Sequence, residues 1–81
     1  SELRSGQLLR LEFVDNSARQ PVINQAIRQF DIEFNILFAS MSDIQETLVG
    51  FMMVHLQGPQ CQNAIAFLQS AGVVVQEVAD V

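Results

Sequence analysis

Lysine is absent from this chain of 81 residues, and only four arginines (Arg4, Arg10, Arg19 and Arg28) carry positive charge. A phosphate-gripping P-loop needs its lysine and a Gly-rich loop, and neither is present. Against nine Asp and Glu the formal charge is −5. No basic surface is left to neutralise nucleic-acid phosphates, and an anionic membrane surface would repel the chain. Cysteine is nearly absent too. Cys61 stands alone, which excludes an intrachain disulfide and points to a reducing compartment. No run approaches the roughly 20 apolar residues of a spanning helix, and no signal peptide opens the chain. A soluble, cytoplasmic piece is expected.

Charge is scarce as a whole. Charged residues make up 16% of the chain and hydrophobic ones 49%. A small domain has proportionally more surface to cover with polar groups, so this mix implies apolar surface buried against another chain. A single core is only marginally sufficient at this length, and help from a partner is common.

The apolar periodicity orders what remains. "SELRSGQ" (1–7) is polar and aperiodic, and reads as a linker or disordered end before one domain over 8–81. In "LLRLEFV" (8–14), Leu9, Leu11 and Phe13 alternate with Arg10 and Glu12, the mark of a half-buried strand. "DNSARQP" supplies a turn with capping side chains, and Pro21 suits the first turn of a helix. Val22, Ile23, Ala26, Ile27 and Phe30 then form one apolar helical stripe.

"DIEFNILFASM" (31–41) alternates again, with Ile32, Phe34, Ile36 and Phe38 on one face and Glu33, Asn35, Leu37, Ala39 and Met41 on the other. "SDIQE" (42–46) is a turn, irregular or bulged because Ile44 lies inside it. "TLVGFMMVHL" (47–56) is a third strand, with Leu48, Met52, Val54 and Leu56 opposite Val49, Phe51 and Met53. "QGPQ" breaks the chain. Cys61, Ala64, Ile65 and Leu68 follow at helical spacing, Gly72 stands at the C-cap, and "VVVQEV" (73–78) is the last strand.

The order β-α-β-β-α-β, with right-handed crossovers, predicts an α+β ferredoxin-like sandwich: a four-stranded antiparallel sheet with two helices on one face. Its other face is open. There strands two and three are expected to present Leu37, Ala39, Met41, Val49, Phe51 and Met53. Leaving these in water is costly, at about 25 cal/mol per Å² of apolar area. A second copy, pairing through the sheet face or the edge of strand two, is the simplest cover.

Catalytic chemistry finds little support. His55, the sole histidine, has no motif placing a nucleophile and an orienting acid beside it. Cys61 opens a helix, where a thiolate is stabilised, but it also lies on the apolar stripe as a small core residue. One His and one Cys five residues apart match no common zinc spacing, and the carboxylates are scattered singly. Met41, Met52 and Met53 could form an adaptable surface, although core packing suits at least two of them. Asn35 differs in kind. It is a β-disfavoured amide inside a run of β formers, with two donors and one acceptor. It either satisfies strand backbone or meets a polar ligand, such as the α-carboxylate or α-amino group of an amino acid, whose side chain its apolar neighbours would hold.

Asn35-Ile36-Leu37 resembles the signature of the NIL domain, the C-terminal regulatory module of methionine-importing ABC transporter ATPases. "LLRLEFVDNSARQPVI", "IRQFDIEFNILFASM", "VGFMMVHLQG" and "AIAFLQSAGVVVQEV" resemble the family's pattern in order and spacing, over about residues 8 to 78. The resemblance implies an ACT-like variant of the ferredoxin-like fold. It implies a domain that binds L-methionine from the cytoplasm and inhibits further import (transinhibition) at the bacterial inner membrane. It also implies pairing of two such domains, with the ligand site at or near the pairing surface, beside a parent ABC ATPase domain and its transmembrane permease. Carried over residue by residue, Asn35 is the expected ligand contact, with Ile36, Leu37, Phe38 and Met41 as wall residues. No catalytic residue, metal or cofactor is expected in this domain; ATP would belong to the parent ATPase domain. The alternative is a ligand-free structural dimerisation module, in which Asn35 would fix strand register. NIL domains also accompany iron–sulfur modules, but this chain has no cysteine cluster to hold one.

Overall fold

The structure, a computed structural model, describes residues 6–78. Residues 1–5 of the expected linker and 79–81 at the far end lie outside them. Among the described residues the chain runs β1 (Gln7–Val14), α1 (Asn16–Arg19), α2 (Val22–Gln29), β2 (Glu33–Ile44), β3 (Thr47–Gln57), α3 (Cys61–Ser70) and β4 (Val74–Glu77). The four strands form one antiparallel sheet in the order β2-β3-β1-β4. This is the ferredoxin-like arrangement that the alternation predicted.

The core lies between the sheet and the helices. Leu9, Leu11, Phe13, Val54 and Leu56 enter it from β1 and β3. Val22 and Ala26 of α2, Cys61, Ala64 and Leu68 of α3, and Val73 close it from the other side. Burial is near complete at Leu11, Val54, Leu56, Ala26, Ala64 and Leu68, each 0% exposed. Each large apolar side chain so buried contributes about 1.5–3 kcal/mol. Phe30 and Phe67 join the two longer helices with ring centroids 5.7 Å apart.

Several boundaries moved from their expected places. The "DNSARQP" turn contains a four-residue helix, α1, because Ser17 closes it locally. The Val14 N–H donates to Ser17 Oγ (2.9 Å), and the hydroxyl donates back to the Val14 carbonyl (3.1 Å). That exchange satisfies Ser17, the one buried polar residue among the described residues. Asp15 before it takes φ 52° and donates its N–H to the Leu48 carbonyl at 2.8 Å, tying the loop to β3. Pro21 stands just before α2, one residue earlier than expected, and α2 ends at Gln29.

The C-terminus of α3 follows expectation. Gly72 sits at φ 93°, its N–H donates to Gln69 O, and the Val73 N–H donates to Leu68 O, both at 3.0 Å. This is a Schellman cap, and the buried pair Val73 and Leu68 supplies its hydrophobic contact.

The largest correction concerns β2. It continues to Ile44, and the expected five-residue turn shrinks to Gln45 and Glu46. Both have positive φ, 50° and 70°, as a two-residue type I′ hairpin requires. The irregularity lies not in the turn but mid-strand. Ile36 pairs with Val54 and Phe38 with Met53, so Leu37 is an extra residue, a β-bulge. A bulge reverses the alternation beyond it. Phe38 therefore joins the open face, where its ring lies 5.5 Å from that of Phe51. Ala39 and Met41, expected on the open face, pair with Met52 and Gly50 on the helix side.

Candidate functional site

β2 is an edge strand, hydrogen-bonded to β3 alone. All its residues except Phe34 are exposed. Among the described residues, eight large hydrophobics are exposed, and five of them (Ile36, Leu37, Phe38, Met41 and Ile44) belong to this strand. Edge strands are normally protected by charge or proline. Between Phe34 and Ser42, β2 has neither.

The structure places the five sequence-predicted residues on this one strand, but on two sides of the sheet. Asn35 lies opposite His55 on the open face, and among the described residues its amide has no side-chain hydrogen bond. Phe38 shares that face. Ile36 and Met41 project to the helix side, one before the bulge and one after it. Leu37 is the bulge residue and is 56% exposed. Asn35 and Met41 are six residues apart, about 20 Å along an extended strand. Within one chain, then, they do not converge on a single small molecule.

The open face around Asn35 is half apolar and lightly charged. Arg10 lies across the Phe51 ring, 4.7 Å from its centroid, and its guanidinium reaches Glu12 at 3.5 Å. At the start of the strand, Gln57 Nε2–H donates to Glu33 at 2.7 Å. His55 Nε2 is enclosed beneath Gly6 with no hydrogen-bond partner among the described residues. Among them, no group of His, Cys, Asp or Glu is arranged to hold a metal ion. Burial pushes the Cys61 thiol up from its ordinary pKa, which favours the protonated, packed form over a nucleophilic thiolate.

On the helix side, Met41 belongs to a cleft of about 390 Å³ between α1, α2 and the sheet, walled by Phe13, Ser17, Ala18, Val22, Ile23, Ile27 and Met52 among others. Small-molecule sites begin near this size and share its apolar lining. Met41 lies over Gly50 of β3, where a methyl group would stand 2.9 Å from its Sδ and displace the end of that flexible side chain. Sequence reasoning passed over Gly50, although a glycine inside an apolar strand signals a close approach. Met52 was placed on the same strand face as Val54 and Leu56, where the structure has it, but was not assigned to a site.

Residues 7–77 match the family profile described as NIL domain. The chain belongs to the NIL domain family. Among curated relatives of this NIL domain, the methionine import ATP-binding protein MetN 2 of Acinetobacter baylyi is 47% identical over 72 residues, 86% of this chain but 21% of that protein. The methionine import ATP-binding protein MetN of Protochlamydia amoebophila is 45% identical over 71 residues, 85% of this chain and again 21% of the relative. The NIL domain thus spans about a fifth of the length of these proteins.

Solved structures agree on the fold. The C-terminal domain of an ABC transporter ATP-binding protein from Enterococcus faecalis superposes with TM-score 0.76 at 22% identity, over 99% of this chain and 91% of that one. The ACT domain of the GTP pyrophosphokinase of Chlorobium tepidum reaches 0.51 at 15% identity, over 90% and 99%. The family letters themselves, Asn35-Ile36-Leu37, run from the open-face amide to the bulge.

Proposed function

We propose that this NIL domain is the regulatory part of a methionine importer's ATP-binding subunit, binding L-methionine and acting as a homodimer. Filling of the site from the cytoplasm would inhibit further import at the inner membrane, through the parent ATPase domain and its transmembrane permease. The observation that carries the reading is the β2 edge: an exposed apolar strand, uncharged from Phe34 to Ser42, headed by one amide. The names of the relatives supply the ligand class. Asn35 takes the ligand's polar end, and Phe38 on the same face with Leu37 at the bulge wall its side chain. Ile36 and Met41 contribute from the other side of the strand.

Regulation requires differential affinity. Methionine shifts the pairing equilibrium only as far as it prefers one arrangement of the two domains. The domain itself does no chemistry in this reading and needs no cofactor.

Isothermal titration of this chain with L-methionine, with leucine and D-methionine as controls, tests it. A saturable heat with L-methionine alone is the expected result. Heats absent for all three at millimolar ligand would leave the ligand-free dimerisation module, which the apolar open face around Phe38 and Phe51 favours as the second reading.

A further inference from the structure

Two polar groups stand side by side on the open face without a protein partner among the described residues. Asn35 and His55 face each other across β2 and β3, so their Cβ atoms lie about 4.5–5.5 Å apart. The Asn35 amide is exposed, whereas His55 Nε2 is enclosed and still unpaired. A buried ring nitrogen is normally hydrogen-bonded, because burial strips its water and a bare nitrogen gains nothing in return. The imidazole is covered from the flank away from Asn35. Leu8 of β1 faces His55, and Gly6, two residues earlier on the same face, lies over the ring.

A Cβ at position 6 would fall inside van der Waals contact with His55 Cε1 and Nε2, and a larger residue there would push the ring aside. Charged side chains of this face are engaged elsewhere: Arg10 with Glu12 and the Phe51 ring, Glu33 with Gln57. The imidazole therefore has two flanks to turn to. One staggered χ1 lays it over β1, beneath Gly6, and another lays it over β2, beside Asn35. In the first position Nε2 is bare. In the second, a ligand held by the Asn35 amide supplies a partner, since a neutral imidazole offers an N–H to a carboxylate and a lone pair to an ammonium group.

We propose that His55 is a latch between the ligand site and the start of β1. Without ligand the ring lies beneath Gly6 and helps to hold Gln7 and Leu8 against Leu56 and His55 of β3. An amino acid bound at Asn35 draws the ring across to β2, uncovers Gly6 and loosens that end of the strand. The ligand prefers the state in which the imidazole meets it, and that difference in affinity shifts the population. The inference rests on the ligand site of the proposed function and adds the route by which its occupancy is reported. In that reading the ATPase domain lies upstream, so the chain arrives from it through Gly6. Asn35, His55 and Leu8 form one row across three adjacent strands, a direct path from ligand to that entry.

Proton NMR of the chain tests the latch. A nuclear Overhauser contact between His55 Hε1 and the Gly6 Hα protons is expected in the free protein. Saturation with L-methionine should abolish it and speed amide exchange at Gln7 and Leu8. If the contact persists while isothermal titration shows methionine bound, the latch is overturned and the ligand site stands. No binding at all overturns both. Coupling between two sites is reciprocal, so a variant that opens the latch must tighten the ligand. Gly6→Ala pushes the ring off β1 and should lower the L-methionine dissociation constant about fivefold or more; an unchanged or raised constant contradicts the latch. His55→Phe keeps an aromatic ring beneath Gly6 but offers the ligand no hydrogen bond. It should weaken methionine binding about fivefold or more and leave Gln7 and Leu8 unresponsive to the ligand that still binds. Exchange at Gln7 and Leu8 that still quickens with methionine in His55→Phe would assign the coupling to another route.

Discussion

Asn35 carries the functional claim at the scale of single residues, and its surroundings make it separable from folding. It is exposed and lies away from the helix-side core, so Asn35→Ala should leave the melting temperature within about 2–4 °C while removing the response to methionine. Surface substitutions of this kind usually stay within about 0.5 kcal/mol. Leu11 is its opposite. At 0% exposure in the core, Leu11→Ala should cost about 2–5 kcal/mol, read as a lower denaturation midpoint in urea with unchanged slope. Cys61 sets a pH limit. Its thiol pKa is raised in the folded state by desolvation, above the ordinary 9.0. Above that pH the unfolded chain loses the proton while the folded chain keeps it, so stability is full below about pH 9 and falls above it. Urea midpoints at pH 8 and pH 10 should show the fall, and Cys61→Ala should flatten it.

Elements show where residue patterns suffice and where they stop. Strict alternation over Leu9 to Phe13 gave β1, and Gly72 after an apolar helix gave the Schellman cap, because each signal is local. The bulge at Leu37 was not legible, since every residue from Phe34 to Ala39 is a reasonable strand former except Asn35, and none marks an insertion. Only the partner strand reveals it: β3 has one residue fewer between Val54 and Met53 than β2 has between Ile36 and Phe38. Consequently Asn35 and Phe38 were correctly drawn to the same strand but assigned to opposite faces, and Met41 was placed on the wrong one. The turn was read as the five residues 42–46, and its tightness at Gln45-Glu46 was missed for a related reason. Neither residue favours positive φ, so the length of the hairpin, not local chemistry, imposes it. That imposition stores strain, at about 1 kcal/mol or more per residue. Replacing the pair by Asn-Gly, the preferred type I′ sequence, should raise the melting temperature by several degrees. Gly50→Ala should shift only the flexible end of Met41 and leave the melting temperature within a few degrees.

At the scale of the whole molecule, the described residues form a slab 43 Å long and 15 Å thick, about the length of the twelve-residue edge strand. Helices cover one side, and the other side and the β2 edge carry apolar surface that a domain this small can seldom leave in water. The net charge of −5 is too small and too dispersed to oppose association at physiological salt. Pairing of copies and occupation by a small amino acid are compatible uses of that surface, since the ligand can sit where two edges meet.

Thermal melts of the chain and of its Asn35→Ala variant, each with and without L-methionine, test the central claim most directly. Ligand at about 100 times its dissociation constant stabilises the folded form by roughly 2.7 kcal/mol. At about 4–8 °C per kcal/mol for a domain of this length, the wild-type melt should rise by 10 °C or more. The account predicts that rise with L-methionine, its absence with leucine or D-methionine, and its loss in Asn35→Ala at an unchanged ligand-free melting temperature. An equal rise in Asn35→Ala would contradict the site, and no rise in either protein would contradict the ligand.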